Sequence, residues 1–232
     1  MIKGIVFDID NTLLDFMSMK VSAIDAAISS MIDAGLSKTY KEVRESIDKI
    51  YNIYGIEYQN VFDRVLEELL GKVDYHILAA GIIAYRRARE GTIALYPHVK
   101  LTLMKLIKQN IKLGVLSDAP KKQAWLRLCE VGLNHFFDSV VALEDTGKRK
   151  PEPEPFNLIL NNLMIKNPNQ AIMVGDWAER DIKGAKDIGM ITVFARYGDS
   201  FDTKDSGADF EISDILNLLD VIKELNDSRN RN

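Results

Sequence analysis

The chain has 232 residues, of which 47% are hydrophobic, and its formal net charge at pH 7 is −4. This composition predicts a folded protein with one large domain, or a domain carrying an insert, and excludes disorder by composition. The negative charge argues against nucleic acid as the main partner. The single cysteine, Cys129, excludes an intramolecular disulfide framework and a multi-cysteine zinc site. It lies in an amphipathic helical pattern, which predicts a packed core thiol.

The apolar segments of the sequence are all short. None approaches the roughly 18 residues that a membrane span needs. The N-terminus leads directly into a strand pattern, without the charged and then apolar segment of a secretory leader. We therefore expect a soluble, cytoplasmic protein with no membrane partner.

The first part of the chain combines one strand with a long helical segment. Ile5, Val6 and Phe7 form an apolar run that is typical of a short buried strand. Residues 18 to 90 then show four amphipathic helical stripes, with Ser18 as the predicted cap of the first and a capping box at Thr39 in the second. The short connections predict a helical bundle at residues 16–92, inserted into a domain formed by residues 1–15 and 93–232.

Strands and helices alternate in the remainder of the chain. Pro97 and Pro155 are predicted to begin helices, because proline suits the first helical position. This alternation predicts an α/β fold: a Rossmann-like, mainly parallel sheet with helices on both faces. The predicted strands cover residues 112–116, 139–143, 171–174, 191–194 and 210–212.

Polar side chains follow four of the predicted strands. In open parallel sheets, ligands bind beyond the carboxyl ends of the strands. Two carboxylates that come close there need a cation or must share a proton, although Asp and Asn are also ordinary turn residues and Asp118 also suits a helix cap. The polar groups are Asp8, Asp10 and Thr12; Ser117 and Asp118; Glu144 and Asp145 with the basic run 148–150; and Asp176 with Asp181 downstream.

Together, these motifs resemble the haloacid dehalogenase superfamily, in particular its phosphatases with a helical cap inserted after the first motif. The family pattern is Asp-x-Asp-x-Thr, then Ser or Thr after a strand, then Lys usually followed by Pro, then Gly-Asp with another Asp downstream. This chain has Asp8-Ile9-Asp10-Asn11-Thr12, Leu116-Ser117-Asp118, Lys150-Pro151-Glu152-Pro153, and Gly175-Asp176 with Asp181. The resemblance covers nearly the whole chain. It departs from the family at Trp177, where a small polar residue is common.

The resemblance implies a Mg²⁺-dependent phosphatase that hydrolyses small phosphorylated metabolites. Asp8 is then the nucleophile, which forms an aspartyl phosphate that water cleaves. Asp10 is the general acid that protonates the leaving oxygen and the base that activates the water. The carboxylates of Asp8 and Asp176, with the main-chain carbonyl of Asp10, are the implied metal ligands.

The other motif residues are implied to hold the phosphoryl group. Thr12, Ser117 and Lys150 bind its oxygens, with the largest electrostatic share from the lysine. The prolines that follow Lys150 favour it over Lys148, which stays an alternative. Asp181 is implied to orient a metal-bound water or Lys150 rather than to bind the metal.

The helical insert is expected to close over this site and to select the substrate. Hinges are expected near residues 15–18 and 91–95. The residues just past the first motif either face the leaving group or pack the hinge; they are Phe16, Met17, Met19 and Lys20. The three histidines lack metal-ligand spacing and are expected to be structural or exposed.

Three other functions stay open at this point. A dehalogenase of the same superfamily needs neither the metal nor the acid, so Asp10 and Asp176 argue against it. A phosphomutase would keep every motif. A non-catalytic switch module that is phosphorylated or binds Mg²⁺ is disfavoured by Asp10, which would hydrolyse the acyl phosphate. The sequence leaves the substrate and the oligomeric state open.

Overall fold

The structure, a computed structural model, describes residues 1–230, and their contacts divide the chain into two units. Met1–Phe16 and the chain from Ala94 onward form the first, which is called the α/β unit here. Met17–Ile93 form the second, the helical unit. None of the helices in the described part of the chain is both long and apolar enough to cross a membrane.

The helical unit is built from amphipathic helices around a core of its own. Its buried residues include Ile28, Ile47 and Leu66. The capping box at Thr39 is present, because its hydroxyl accepts from the Glu42 N–H and the Glu42 carboxylate accepts from the Thr39 N–H. Ser18 does not cap the first helix, which begins two residues before it. The helices are α1 (Phe16–Asp33), α2 (Tyr40–Tyr54), α3 (Val61–Leu70) and α4 (Tyr75–Thr92).

The α/β unit contains one sheet whose strands are all parallel, in the order β3-β2-β1-β4-β5-β6. The two strands β1 and β4 are buried along their whole length, as their continuous apolar runs predict. The predicted α/β, Rossmann-like fold is therefore confirmed. The strands are β1 (Gly4–Phe7), β2 (Lys112–Leu116), β3 (Ser139–Val141), β4 (Ala171–Gly175), β5 (Ile191–Ala195) and β6 (Phe210–Ile212).

Helices follow the strands of this sheet, and one π-helical turn, Ala178–Ile182, leads into α9. A core that packs Val6 and Met173 of the sheet with Phe156 and Ile159 joins the two layers. The helices are α5 (Val99–Lys108), α6 (Lys121–Glu130), α7 (Leu143–Thr146), α8 (Pro153–Asn162), α9 (Lys183–Asp187) and α10 (Leu218–Asn230).

Several predicted element ends are wrong, and two of them have a visible local cause. Helix α5 begins at Val99 rather than at Pro97, because His98 before it has a left-handed φ of 64°. Helix α8 begins at Pro153 rather than at Pro155. Strand β3 stops two residues early, because Ala142 donates its N–H to the Asp145 carboxylate and so opens α7.

The prediction of a packed thiol at Cys129 is also wrong, since this residue is exposed. The buried face of α6 carries Ala124, Arg127 and Leu128, spaced three and four residues apart. Cys129 follows that face by one residue, a rotation of about 100° that turns its side chain to solvent.

Candidate active site

The register of the sheet brings the three polar strand ends to one level. Phe7 of β1 lies opposite Val115 of β2 and Val174 of β4. The next residue, Asp8, is therefore beside the ends of both neighbouring strands, and its N–H donates to the Val174 carbonyl at 2.9 Å. The residues that follow β1, β2 and β4 share this carboxyl edge, where parallel sheets bind ligands.

Lys150 lies at the centre of this edge. Its Nζ is 2.5 Å from Asp8 Oδ1 and 2.6 Å from Asp181 Oδ1, and it donates to the Leu116 carbonyl at 3.0 Å. All three charged side chains are buried. Lys148, the alternative in the same basic run, is exposed. The structure thus gathers Asp8, Lys150 and Asp181 into one buried cluster.

The loop after β1 turns Thr12 inward. Asn11 has a left-handed φ of 57°, and its N–H donates to the Leu14 carbonyl at 2.7 Å, which closes the turn. The buried Thr12 hydroxyl donates to Asp176 Oδ1 at 3.1 Å, and the Thr12 carbonyl accepts from the Tyr197 hydroxyl at 2.8 Å. The Thr12 hydroxyl therefore holds one oxygen of the Asp176 carboxylate by a hydrogen bond.

Gly198 lies so close to this loop that a Cβ there would collide with the Asn11 carbonyl oxygen. Neither Gly198 nor Tyr197 belongs to the motifs read from the sequence. Their contribution comes from the segment after β5, which meets the first loop only in the folded chain.

Ser117 and Asp118 follow β2 and have different partners. Ser117 is buried, and its Oγ accepts from the Ala119 N–H at 3.1 Å, so its own O–H remains a donor. Asp118 does not cap α6, because Pro120 occupies the cap position. Instead, Asp118 Oδ1 accepts from the Lys150 N–H at 2.9 Å and Oδ2 from Arg180 Nη1 at 3.1 Å. Asp118 thus fixes the backbone of the central lysine.

The Gly-Asp motif after β4 is shaped by close packing. Asp181 Oδ2 accepts from the Trp177 N–H at 3.0 Å, and a Cβ on Gly175 would collide with the Asp181 carboxyl group. The centre of the Trp177 ring lies 3.7 Å from the Arg180 guanidinium carbon and 4.5 Å from the centre of the Phe201 ring. Only glycine at position 175 lets the Asp181 carboxylate reach Lys150.

Asp10 is paired with an arginine that the sequence reading missed. Arg127 Nη1 lies 2.5 Å from Asp10 Oδ2, and the guanidinium carbon lies 4.4 Å from the centre of the Phe16 ring. The pair joins residues 117 positions apart. One signal was available, because Arg127 puts a charge on the apolar face of a short amphipathic helix.

The cluster holds more negative than positive charge, and its pKa values reflect this. Burial raises the pKa of Asp8 to about 8, against the opposing attraction of Lys150, and Asp181 and Asp10 add repulsion. Burial and then repulsion from Asp8 and Asp181 also raise the pKa of Asp176 well above its ordinary value. Burial would lower the pKa of Lys150, but the attraction of Asp181 and Asp8 outweighs it, and the pKa is raised.

The side chains at this edge suit a magnesium ion. Across the described residues, no three His, Cys, Asp or Glu side chains are grouped so that they could hold a metal by themselves. Mg²⁺ needs fewer, because it binds one or two carboxylates and completes its shell with water and substrate oxygens. The buried carboxylates of Asp8 and Asp176, which repel each other, fit such a cation.

Three of the residues that follow the first motif are buried, namely Phe16, Met19 and Lys20. Phe16 packs under Arg127, and Met19 is buried. Lys20 packs inside the helical unit, where its Nζ donates to the Ile56 carbonyl and the Tyr85 hydroxyl, each at 3.0 Å. The three histidines are all exposed.

Comparison with known proteins identifies the family. The sequence profile of the haloacid dehalogenase-like hydrolases matches residues 5–195 of this chain. The chain belongs to the haloacid dehalogenase-like hydrolase family. The predicted family and enzyme class are therefore confirmed.

Relatives of this hydrolase match it over nearly its full length. It is 37% identical, over 97% of its own chain and 99% of the relative, to the glyceraldehyde 3-phosphate phosphatase of Methanocaldococcus jannaschii. It is 34% identical to the protein of the same name from Methanopyrus kandleri, again over 97% and 99% of the two chains. Among solved structures, a phosphatase of the family from Thermococcus onnurineus superposes with a TM-score of 0.69, at 27% identity over 95% and 98% of the two chains.

Proposed function

We propose that this hydrolase is a Mg²⁺-dependent phosphatase that cleaves small phosphorylated metabolites through an aspartyl phosphate. One observation carries the proposal: the Asp8 carboxylate is buried at the sheet edge, 2.5 Å from the Lys150 ammonium. A nucleophile in contact with a fixed cation suits phosphoryl transfer, which depends on positioning and on neutralising the phosphoryl oxygens.

The proposed reaction has two steps on this chain's own residues. In the first, an oxygen of Asp8 attacks phosphorus, the bond from phosphorus to the leaving oxygen breaks, and Asp10 gives that oxygen a proton. In the second, water attacks phosphorus and gives a proton back to Asp10. The bond from phosphorus to Asp8 then breaks, which releases phosphate and restores both carboxyl groups.

The neighbouring residues hold the transferred group. Lys150 is proposed to bind phosphoryl oxygens through its ammonium and Ser117 through its free O–H. Thr12 is assigned a changed role, because its hydroxyl already donates to Asp176 and orients that carboxylate. A magnesium ion held by Asp8, Asp176 and the Asp10 carbonyl would neutralise charge on the phosphoryl oxygens.

Glyceraldehyde 3-phosphate is the proposed substrate. The two relatives with this activity in their names match the chain at 37% and 34% identity over almost its whole length. In this proposal, the α/β unit carries the chemistry, because it contains every site residue predicted from the sequence. The helical unit keeps the role of a specificity cap.

A phosphate-release assay tests the proposal. The purified full-length protein is incubated with Mg²⁺ and, separately, with glyceraldehyde 3-phosphate, phosphoglycolate and pyrophosphate, with the Asp8→Asn variant as the control. Release that is fastest from glyceraldehyde 3-phosphate, and absent from the variant, supports the whole proposal. Faster release from another ester would overturn the substrate, and release that Asp8→Asn leaves unchanged would overturn the mechanism.

The rival functions give different products in the same assay series. A phosphomutase would interconvert sugar phosphate isomers and release little phosphate. A dehalogenase would release halide from 2-haloacids without Mg²⁺. Dehalogenation requires neither an acid at Asp10 nor a metal-binding carboxylate at Asp176, so both residues favour phosphatase chemistry over dehalogenation.

A further inference from the structure

Arg127 is a buried cation on a helix face that is otherwise apolar. It shares this face of α6 with Ala124 and Leu128, and it is 6% exposed. Burying a guanidinium is costly unless it is paired, and packing alone would be better served by an apolar residue here. The position of this charge therefore needs an explanation in terms of what it contacts.

Arg127 contacts Asp10 and Phe16. The guanidinium lies 2.5 Å from Asp10 Oδ2, and its central carbon lies over the Phe16 ring, 4.4 Å from the ring centre. The Arg127 side chain is 7% exposed to solvent and the Asp10 side chain 24%, so solvent reaches the carboxyl group more than the guanidinium. A planar guanidinium clamped by a ring holds its partner in one orientation, which a flexible ammonium would not do.

We propose that Arg127 is a positioning residue for the proton transfers of Asp10. It holds one carboxyl oxygen so that the group stays at the strand end beside Asp8, within reach of the leaving oxygen and of the attacking water. This inference rests on the proposed function, because it assigns Arg127 a task in that reaction. Arg127 itself contacts no reacting atom in this scheme.

The proposal predicts a loss that depends on the leaving group. An alkoxide leaves poorly without a proton, whereas nitrophenolate hardly needs one. Arg127→Met keeps the length of the side chain and removes the ion pair, so Asp10 should lose its alignment. Phosphoenzyme formation should then slow on the order of 10²-fold with glyceraldehyde 3-phosphate and only severalfold with p-nitrophenyl phosphate.

Rapid-quench measurement with both substrates tests this on the full-length protein. The ratio of the two rates is taken within one preparation, so partial unfolding of a variant cancels. Lys122→Met, an exposed lysine on the same helix, is the matched control and should leave the ratio unchanged. Arg127→Lys keeps the charge without the planar fork and should give an intermediate ratio. Arg127→Lys also replaces Arg127→Met as the test variant if Arg127→Met does not fold.

A double variant shows whether Arg127 acts through Asp10. When Asp10→Asn has already removed the proton transfer, adding Arg127→Met should slow the reaction little further. An equal loss with both substrates, or fully multiplicative losses in the double variant, would overturn the positioning role while leaving the proposed function intact. A native protein that releases no phosphate from any ester would instead overturn the proposed function, and this inference with it.

Discussion

Replacing Gly175 by alanine should break the contacts of Asp181 and destabilise the α/β unit. The new Cβ would collide with the Asp181 carboxyl group, which then has to leave Lys150 Nζ at 2.6 Å and the Trp177 N–H at 3.0 Å. Hydrogen bonds to charged groups contribute about 1.5–3 kcal/mol each to stability. The lower chain entropy of unfolded alanine offsets about 0.4–1 kcal/mol of this loss. We expect Gly175→Ala to lower the unfolding free energy by about 2–5 kcal/mol, or the melting temperature by roughly 5–20 °C.

Urea unfolding followed by tryptophan fluorescence measures this loss in the right unit. Both tryptophans of the chain, Trp125 and Trp177, lie in the α/β unit. Gly91→Ala is the control, because its Cβ would meet nothing within 4 Å and it lies in a helix of the other unit. A shift below about 0.5 kcal/mol for Gly175→Ala would refute the reasoning, since surface substitutions alone produce that much. So would full additivity with Asp181→Ala, because both changes remove the same ion pair.

Four further results are expected. Excess chelator should abolish phosphate release, and full turnover in its presence would refute the metal role. Asp8→Asn should abolish turnover while near-ultraviolet circular dichroism stays unchanged, because the substitution is nearly isosteric; substantial turnover would refute the nucleophile. Asp10→Ala should slow phosphoenzyme formation with alkyl phosphates about 10²–10⁴-fold and far less with aryl phosphates, and equal losses in rapid-quench experiments would refute the acid role. Burial would raise the pKa of Asp199, but the N–H groups of Phe201 and Thr203 outweigh it and lower this pKa. Asp199→Asn should therefore lower the free energy of unfolding at pH 7. The difference in this free energy between the variant and the native protein should shrink as the pH falls below about 4. A difference that persists at pH 2 in urea unfolding experiments would contradict this.

The sheet was predictable because its strands are marked by short-range signals. The strands β2 and β6 have the predicted bounds, and β1 and β4 differ from prediction by one residue. Continuous apolar runs that end in Asp or Ser mark both the strand and the edge where the site lies. The polar residues named from those strand ends include Asp8, Lys150 and Asp181, which meet in space within 2.6 Å.

The supporting residues were missed because their partners are far apart in the sequence. Arg127 and Asp10 are separated by 117 positions, and Arg180 and Asp118 by 62. Nothing local distinguishes Arg180 from an exposed arginine, and the local signal at Arg127 is its place on the apolar face of α6. The sequence also gives no sign of the π-helical turn at Ala178–Ile182, because its residues have no distinct local preference. Asp181 within this turn lies 2.6 Å from Lys150 Nζ, a contact between residues that are far apart in the sequence.

The way Lys150 is held explains how one ammonium serves both steps of the proposed reaction. When Asp8 becomes an acyl phosphate, its carboxyl oxygen no longer carries the charge that attracts the lysine. Lys150 is nevertheless held at three other points: by Asp181 and the Leu116 carbonyl at its Nζ, and by Asp118 at its backbone N–H. These contacts do not involve the reacting oxygen, so they persist when Asp8 is modified. In the proposed reaction, the ammonium therefore stays beside the phosphoryl group until water releases that group from Asp8. Stability alone would not favour several buried carboxylates around one lysine, but in this reaction they keep the lysine in place.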